Sequence, residues 1–262
     1  MKRLQLVELE DLPWFPAILR DGGTAFLAFG AKAAGHGKLF APILEKAIAA
    51  TGATRIVDLC SGGGGPARLV ADALAEGGHR VKVLLTDLYP NPKAYAFAGE
   101  GSEGRVSGRA EPVDATAVPA DLAGFRTIFN AFHHFPPDLA RRILADAVAK
   151  RQPIAVFEAV SREPLMLLAL LFSPLSVTLT MPLWRPFRWP WVLFTWIFPL
   201  MQPFVLWDGV VSWLRIYSVE ELRELVATID APDWEWEIGT LKHDGPPVHA
   251  TYLIGKPKAA TG

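Results

Sequence analysis

Cysteine is almost missing from this chain. Cys60 is the single one among 262 residues, which excludes an internal disulfide and a cysteine-based metal cluster. Charge excess is missing too: 26 basic and 27 acidic residues leave a formal net charge of −1, with no basic block and no acidic tail. Nucleic-acid binding needs a dense cationic surface, so that class is set aside. The opening stretch MKRLQLVELEDLPWF meets Glu8, Glu10 and Asp11 before any long apolar run. No signal peptide is expected from it, and a cytoplasmic location is the default. There is no internal repeat and no low-complexity linker. Between Glu163 and Asp208 even charge is scarce, with Arg185 and Arg188 alone.

Half of the residues are apolar, enough for one large domain with a substantial core. From about Asp11 to Ala50 the pattern is helical, in pieces broken at Pro13, Pro16, Gly22-Gly23 and Gly35-His36-Gly37, with Leu39–Ala50 the clearest helix. The texture then changes. Arg55–Leu59 predicts a buried strand, Pro66 opens a helix that Gly77-Gly78 ends, and Val81–Asp87 predicts a second strand. Ala110–Val113, Arg126–Phe132 and Pro153–Val160 predict the third to fifth strands, with a helix over Pro137–Lys150. Val219–Ile229 reads as a helix. Trp234–Lys242 and Val248–Lys256, joined by HDGPP, read as an antiparallel pair. Together these predict an α/β fold: a doubly wound, mostly parallel, seven-stranded sheet with a C-terminal antiparallel strand, N-terminal helices and an apolar helical insert. The expected parts of this single domain are a helical cap over 1–50, a ligand-binding half over 51–163, the insert over 164–217 and a closing helix and strand pair over 218–262.

Chemistry enters at RIVDLCSGGGGPARLV, Arg55 to Val70. Open parallel sheets bind ligands beyond the carboxyl ends of their strands. Glycine lets the backbone turn sharply and come close to a ligand without a Cβ in the way. Asp87 ends the second strand beside that turn, placed to accept hydrogen bonds from ribose hydroxyls. The ligand therefore contains a nucleoside. Gly62 to Ala67 fits G-x-G-x-x-A, the dinucleotide fingerprint, so an NAD(P)-dependent oxidoreductase is one reading. Four consecutive glycines satisfy many patterns, however. Three features point elsewhere: a third acid, Asp114, in EPVDAT; a helical region ahead of the turn that can cover a cofactor; and the antiparallel C-terminal pair.

On these motifs the chain resembles the Rossmann-like, class I S-adenosylmethionine-dependent methyltransferases, over about Arg55 to Lys256; DLCSGGGGP and RPFR…DGVVSWLRIYS resemble an uncharacterised bacterial subgroup. The family pattern is D-x-G-x-G-x-G, then acids after strands two and three and a polar residue ending strand four. The resemblance implies S-adenosyl-L-methionine as cofactor, with Asp58, Cys60, Gly62, Gly64, Asp87, Leu88, Asp114, Ala115 and Asn130 as its binding residues. Cys60 departs from the pattern, standing where the first glycine usually does. The implied reaction is methyl transfer to a small, lipophilic or aromatic acceptor, most often at oxygen, with nitrogen, carbon and sulfur as alternatives. A methyl sulfonium is already reactive, so positioning is the main task.

His133 and His134, in FNAFHHF beyond strand four, are the catalytic candidates: a general base for the acceptor proton, or caps of the next turn. No matching third ligand is evident in the sequence, so no metal is expected. Substrate-binding candidates are Trp14, Arg20, Glu158, Ser212, Arg215 and Tyr217. Asp208 is read as a helix N-cap, and Ser218 with Glu221 as a capping box. Pro164 to Trp207 is long and apolar enough to raise a membrane hairpin, but its prolines break the runs and its two arginines oppose the positive-inside bias. A buried helical subdomain that walls an acceptor pocket or forms a homodimer face ranks first. Peripheral membrane contact ranks second, and a true span last. A non-catalytic, membrane-associated cofactor binder is the remaining alternative.

Overall fold

The computed structural model describes residues 2–243 and 248–258; the connector expected at Asp244–Pro247 lies outside them. Two helices, α1 (Ala17–Ala33) and α2 (His36–Thr51), precede β1 (Arg55–Asp58). There follow α3 (Gly65–Glu76), β2 (Lys82–Leu85), α4 (Pro92–Gly99), β3 (Val106–Gly108), β4 (Phe125–Phe129), α5 (Pro137–Ala149) and β5 (Ile154–Glu158). The insert forms α6 (Pro164–Leu171), α7 (Ser173–Thr180), α8 (Trp189–Val192) and α9 (Met201–Arg215). The chain closes with α10 (Val219–Ala227), β6 (Trp234–Lys242) and β7 (His249–Pro257).

The strands make one seven-stranded sheet in the order β3-β2-β1-β4-β5-β7-β6. All pairs from β3 to β5 are parallel, and β7 runs antiparallel to both β5 and β6. Every residue of β4 and β5 is buried, as expected of strands covered by helices on both faces. On one face Phe40 of α2 stacks on Phe157, which stacks on Phe129, with centroids 4.9 and 5.3 Å apart. On the other, Val57, Ile128 and Leu253 pack with Ile143 of α5 and Leu222 of α10. A third apolar cluster lies off the sheet, where Phe15 and Leu19 meet Trp184, Trp191, Met201 and Phe204.

Three expectations need correction. The third strand is Val106–Gly108, not Ala110–Val113; only Val106 of its residues is buried, so it lacked an apolar run. Gly22-Gly23 does not break α1, because there the pair is a packing device. A Cβ on Gly22 would overlap Met201 Cε, and one on Gly23 would lie 2.8 Å from the Phe204 ring. Finally, the insert is only half buried. Trp184 and Trp191 are enclosed, yet α6 buries no residue, and Leu168, Leu171, Phe172, Leu175 and Leu179 face outward along α6 and α7. No single described helix is long and apolar enough to cross a membrane; two bent pairs, α6 with α7 onward and Trp189–Ile197 with α9, reach that length only together.

Candidate active site at the carboxyl edge of the sheet

The glycine turn begins at the end of β1. Cys60, Gly62 and Gly64 have φ of +56°, +53° and +75°, so the chain makes three left-handed steps before α3 starts. Cys60 thus keeps the conformation of the glycine it replaces, at a cost of roughly 1–2 kcal/mol for a residue with a Cβ. Beneath the turn sits Asp58, 2 % exposed. Its two oxygens accept from Thr127 Oγ1 and Ser61 Oγ, each at 2.6 Å. Burial, partly offset by these two hydroxyls, pushes its pKa up to about 7. Asp58 therefore shapes the turn from below, and its carboxylate does not face the crevice. Above the turn lies α1: a Cβ on Gly63 would meet Thr24 at 3.0 Å and one on Gly65 would meet Ala28 at 3.0 Å. At Gly62 a Cβ would meet nothing within 4 Å.

Two acids flank this opening. Asp87, just past β2, accepts from Gly62 N and Tyr89 N at 2.9 Å each; Leu88 beside it is half exposed. Asp114 is exposed and accepts from the amide and hydroxyl of Thr116 at 2.7 and 2.8 Å. Although β3 was misplaced, Asp114 still reaches this edge, because Val113 N donates to Asp87 O at 2.8 Å. The Ala115 side chain belongs to the core, so only its backbone is free to meet a ligand. Asn130 has φ of +52°, and its Oδ1 accepts from Ala159 N at 2.7 Å, tying the ends of β4 and β5 together.

Three residues beyond Asn130 stands the histidine pair. His133 Nδ1 lies 2.8 Å from Glu158 Oε2, and Glu158 Oε1 accepts from His133 N at 3.0 Å. His134 Nδ1 lies 2.9 Å from Asp11 Oδ1. The two rings are 4.4 Å apart, centre to centre. Over them runs the N-terminal segment. Arg3 donates to the carbonyls of His133 and Phe135 at 2.8 and 3.0 Å and stacks over Tyr217 at 4.2 Å. Asp208 accepts from Leu9 N and Glu10 N at 2.7 and 3.0 Å. Asp208 is thus no cap of its own helix; it lies inside α9 and ties down the 3-10 turn Leu9–Asp11. This segment brings in Glu8, 1 % exposed, whose pKa burial raises to about 7. The sequence signal for Glu8 was confined to a run of acids near the start.

Four of the expected substrate residues serve structure. Arg20 donates to the carbonyls of Glu10, Leu12 and Phe15. Arg215, 2 % exposed, binds Asp11 at 2.7 Å, Glu8 at 3.2 Å and the carbonyls of His133 and His134 at 3.3 and 2.6 Å. Tyr217 Oη donates to Phe135 O at 2.7 Å, and Ser212 Oγ contacts Asp208 O and Glu8 Oε1 at 2.8 and 3.1 Å. Each fixes the 132–135 turn or the segment above it. Trp14 is largely exposed, in edge contact with Phe15 alone among aromatic rings. Glu158 orients His133. The Ser218–Glu221 capping box is present. Two hollows lie away from this edge, about 550 Å³ between α10 and β6 and about 340 Å³ between α4 and β3.

No protein-family model matches the chain, and no curated protein matches it by sequence. Solved structures match it in fold. A provisionally assigned O-methyltransferase from Nostoc punctiforme PCC 73102 superposes with a TM-score of 0.53 at 14% identity, over 97% of this chain and 64% of that one. The plantazolicin methyltransferase BpumL, solved with SAH, gives 0.52 at 12% identity, over 92% and 88%. The mitomycin 7-O-methyltransferase MmcR gives 0.48 at 16% identity, and this chain spans 53% of its length. At such identities the likeness is one of fold.

Proposed function

We propose that this chain, which has the class I, Rossmann-like methyltransferase fold, binds S-adenosyl-L-methionine at the glycine turn and transfers its methyl group to a small lipophilic acceptor. The observation that carries the reading is the open space at Gly62, with the Asp87 and Asp114 carboxylates beside it and the left-handed turn beneath. The residues fit the cofactor. Asp87 would take the ribose hydroxyls and Asp114 with the Ala115 backbone the adenine, while the Gly63 and Gly65 amides of the turn would meet the amino-acid end, those of Gly62 and Gly64 being spent on Asp87 and Ser61. A bound cofactor supplies an electrophilic methyl group on a cationic sulfur; the chain must hold an acceptor in line with it and exclude water. The acceptor end is where β4 and β5 finish, at His133, His134 and Glu158. An O–H acceptor must lose its proton there, and His134, the more exposed of the two imidazoles, is the basic group within reach. Calorimetry with S-adenosylhomocysteine and NADH tests the reading: micromolar binding of the first and none of the second is expected. Asp87→Ala should weaken the first at least tenfold, and unchanged affinity would refute the ribose assignment.

The same reading places the outer face of α6 and α7 against an anionic lipid surface, which would bring a lipophilic acceptor to the enzyme. Its support is chemical. The outward leucines and phenylalanines carry no carboxylate among them from Glu163 to Asp208, and exposed Trp189 and Arg185 adjoin them. Among the described residues Arg185 donates to the carbonyls of Pro182 and Trp184 and meets no carboxylate, which leaves its charge for a headgroup. Flotation with phosphatidylglycerol vesicles should recover the chain, and Leu168→Glu with Leu179→Glu should abolish recovery. A dimer in light scattering that the same pair of substitutions dissolves, with no flotation, would assign the face to a second copy instead.

A further inference from the structure

Glu8, His133 and His134 meet in a way that neither general-base chemistry nor turn packing explains. Both imidazoles have Nδ1 on a carboxylate: His133 on Glu158 at 2.8 Å, His134 on Asp11 at 2.9 Å. An Nδ1–H donating to a carboxylate leaves each Nε2 as a lone pair. Both lone pairs face one side chain, with His133 Nε2 3.6 Å from Glu8 Oε1 and His134 Nε2 3.6 Å from Glu8 Oε2. His133 is 5 % exposed, and its Nε2 is buried without a hydrogen-bond partner. With Glu8 ionised, lone pair against carboxylate is a repulsive contact, and a buried nitrogen without a partner is costly.

We infer that Glu8, His133 and His134 form a binding site for a divalent transition-metal ion of the zinc type. All three ligand atoms lie within 4.8 Å of one another. Around a tetrahedral ion with bonds of about 2.0–2.1 Å, ligand atoms sit roughly 3.3–3.4 Å apart; the two 3.6 Å separations run to different oxygens of Glu8, so a small rotation of its carboxylate is needed for one oxygen to serve both nitrogens. A carboxylate on the far nitrogen of each ligating histidine fixes the tautomer and raises its basicity; here both histidines have one. Two nitrogens and one oxygen suit a borderline cation and leave a fourth position for water or substrate. His134, whose side chain is 22% exposed, gives that position a way out. The surroundings favour a cation. Glu8, Glu10, Asp11, Glu158 and Asp208 supply five carboxylates, against three guanidiniums, Arg215 on Glu8 and Asp11, Arg3 on the His133 carbonyl and Arg20 on the Glu10 carbonyl. Arg215 lies closer to Asp11, at 2.7 Å, than to Glu8, at 3.2 Å.

The inference deepens the methyl-transfer reading. A hydroxyl bound at the fourth position would lose its proton to solvent water more readily beside the cation; the histidines, as ligands, would then hold the ion in place of serving as the base. Ion binding itself needs no cofactor, so the two readings fail separately. Tag-free chain, stripped with chelator, is titrated with Zn²⁺ against a chromophoric competitor. One equivalent is expected to bind with a submicromolar Kd. Glu8→Gln and His134→Gln should each weaken it at least a hundredfold, and Asp11→Asn about tenfold; His79→Gln, at the surface beside Glu45, should not. X-ray absorption should report two imidazoles and at least one carboxylate oxygen. Circular dichroism checks that the variants fold. If they do not, the absorption spectrum of the wild-type chain decides. No binding at 100 µM-scale Zn²⁺, equal affinity in Glu8→Gln and His134→Gln, or a spectrum without two imidazoles would overturn the site. Loss of S-adenosylhomocysteine binding with Zn²⁺ binding intact would count against the cofactor reading alone.

Discussion

Alanine at Gly62 and alanine at Gly64 should do opposite things. Both positions are left-handed, with φ of +53° and +75°, so each substitution costs roughly 1–2 kcal/mol of backbone strain. They part company in what the new methyl meets. At Gly64 it lies 2.5 Å from Leu85 Cδ1 and 3.2 Å from Ala98 Cβ. Overpacking of that kind adds about 1–3 kcal/mol, for a total loss of about 2–5 kcal/mol of folding stability. At Gly62 the methyl meets no atom of the chain within 4 Å, so stability should fall by about 1–2 kcal/mol only. The amide that donates to Asp87 is retained. The methyl instead fills the space assigned to the cofactor, and a loss of at least tenfold in affinity, about 1.4 kcal/mol, is expected. Denaturant melts give the first quantity and calorimetry with S-adenosylhomocysteine the second. Unchanged affinity in Gly62→Ala would show that the open space is not where the ligand lies. Equal melts for the two variants would show that the packing argument is wrong.

Asp58→Asn tests the buried acid. With its folded pKa raised to about 7 from 3.8, wild-type Asp58 contributes stability fully below the unfolded value. That contribution is lost as pH rises towards 7, by on the order of a few kcal/mol; the variant should lack this slope in denaturant melts between pH 4 and 7. Gly37→Ala should destabilise by at least 2 kcal/mol or so, because its Cβ would overlap the backbone carbonyl of Leu69, which cannot swing aside as a side chain can; a melt within 0.5 kcal/mol of wild type, the range for neutral surface changes, would be contrary. Ser218→Ala removes the capping box of α10 and should cost about 1 kcal/mol with no effect on cofactor affinity.

The central sheet was legible because β1, β2, β4 and β5 are short apolar runs bounded by turn residues, and burial on both faces writes itself into composition. The edge that carries the glycine turn was legible for a different reason: its residues are local in sequence, each just past a strand. Even there, a motif names positions and not directions. Asp58 and Ala115 sit within it, yet point into the protein. What stayed hidden depended on distant neighbours. Gly22-Gly23 reads as a break until Met201 and Phe204 are known to press on it. The insert's apolarity did not reveal which side had partners. Arg20 and Arg215 looked like substrate ligands because a polar side chain in sequence carries no record of the carbonyls it meets. Glu8 gave no sign of the histidines far along the chain.

The Arg3 and Asp208 ties, which join the first residues to the last third of the chain, also set an order of assembly. The parallel strands β1 to β5 and their helices can pair with one another before the insert is made. The N-terminal cover over the histidines waits for α9, and closing so long a loop is entropically slow. During synthesis, a nascent chain would therefore hold the glycine turn and the acids beside it well before its first residues are pinned over the histidines.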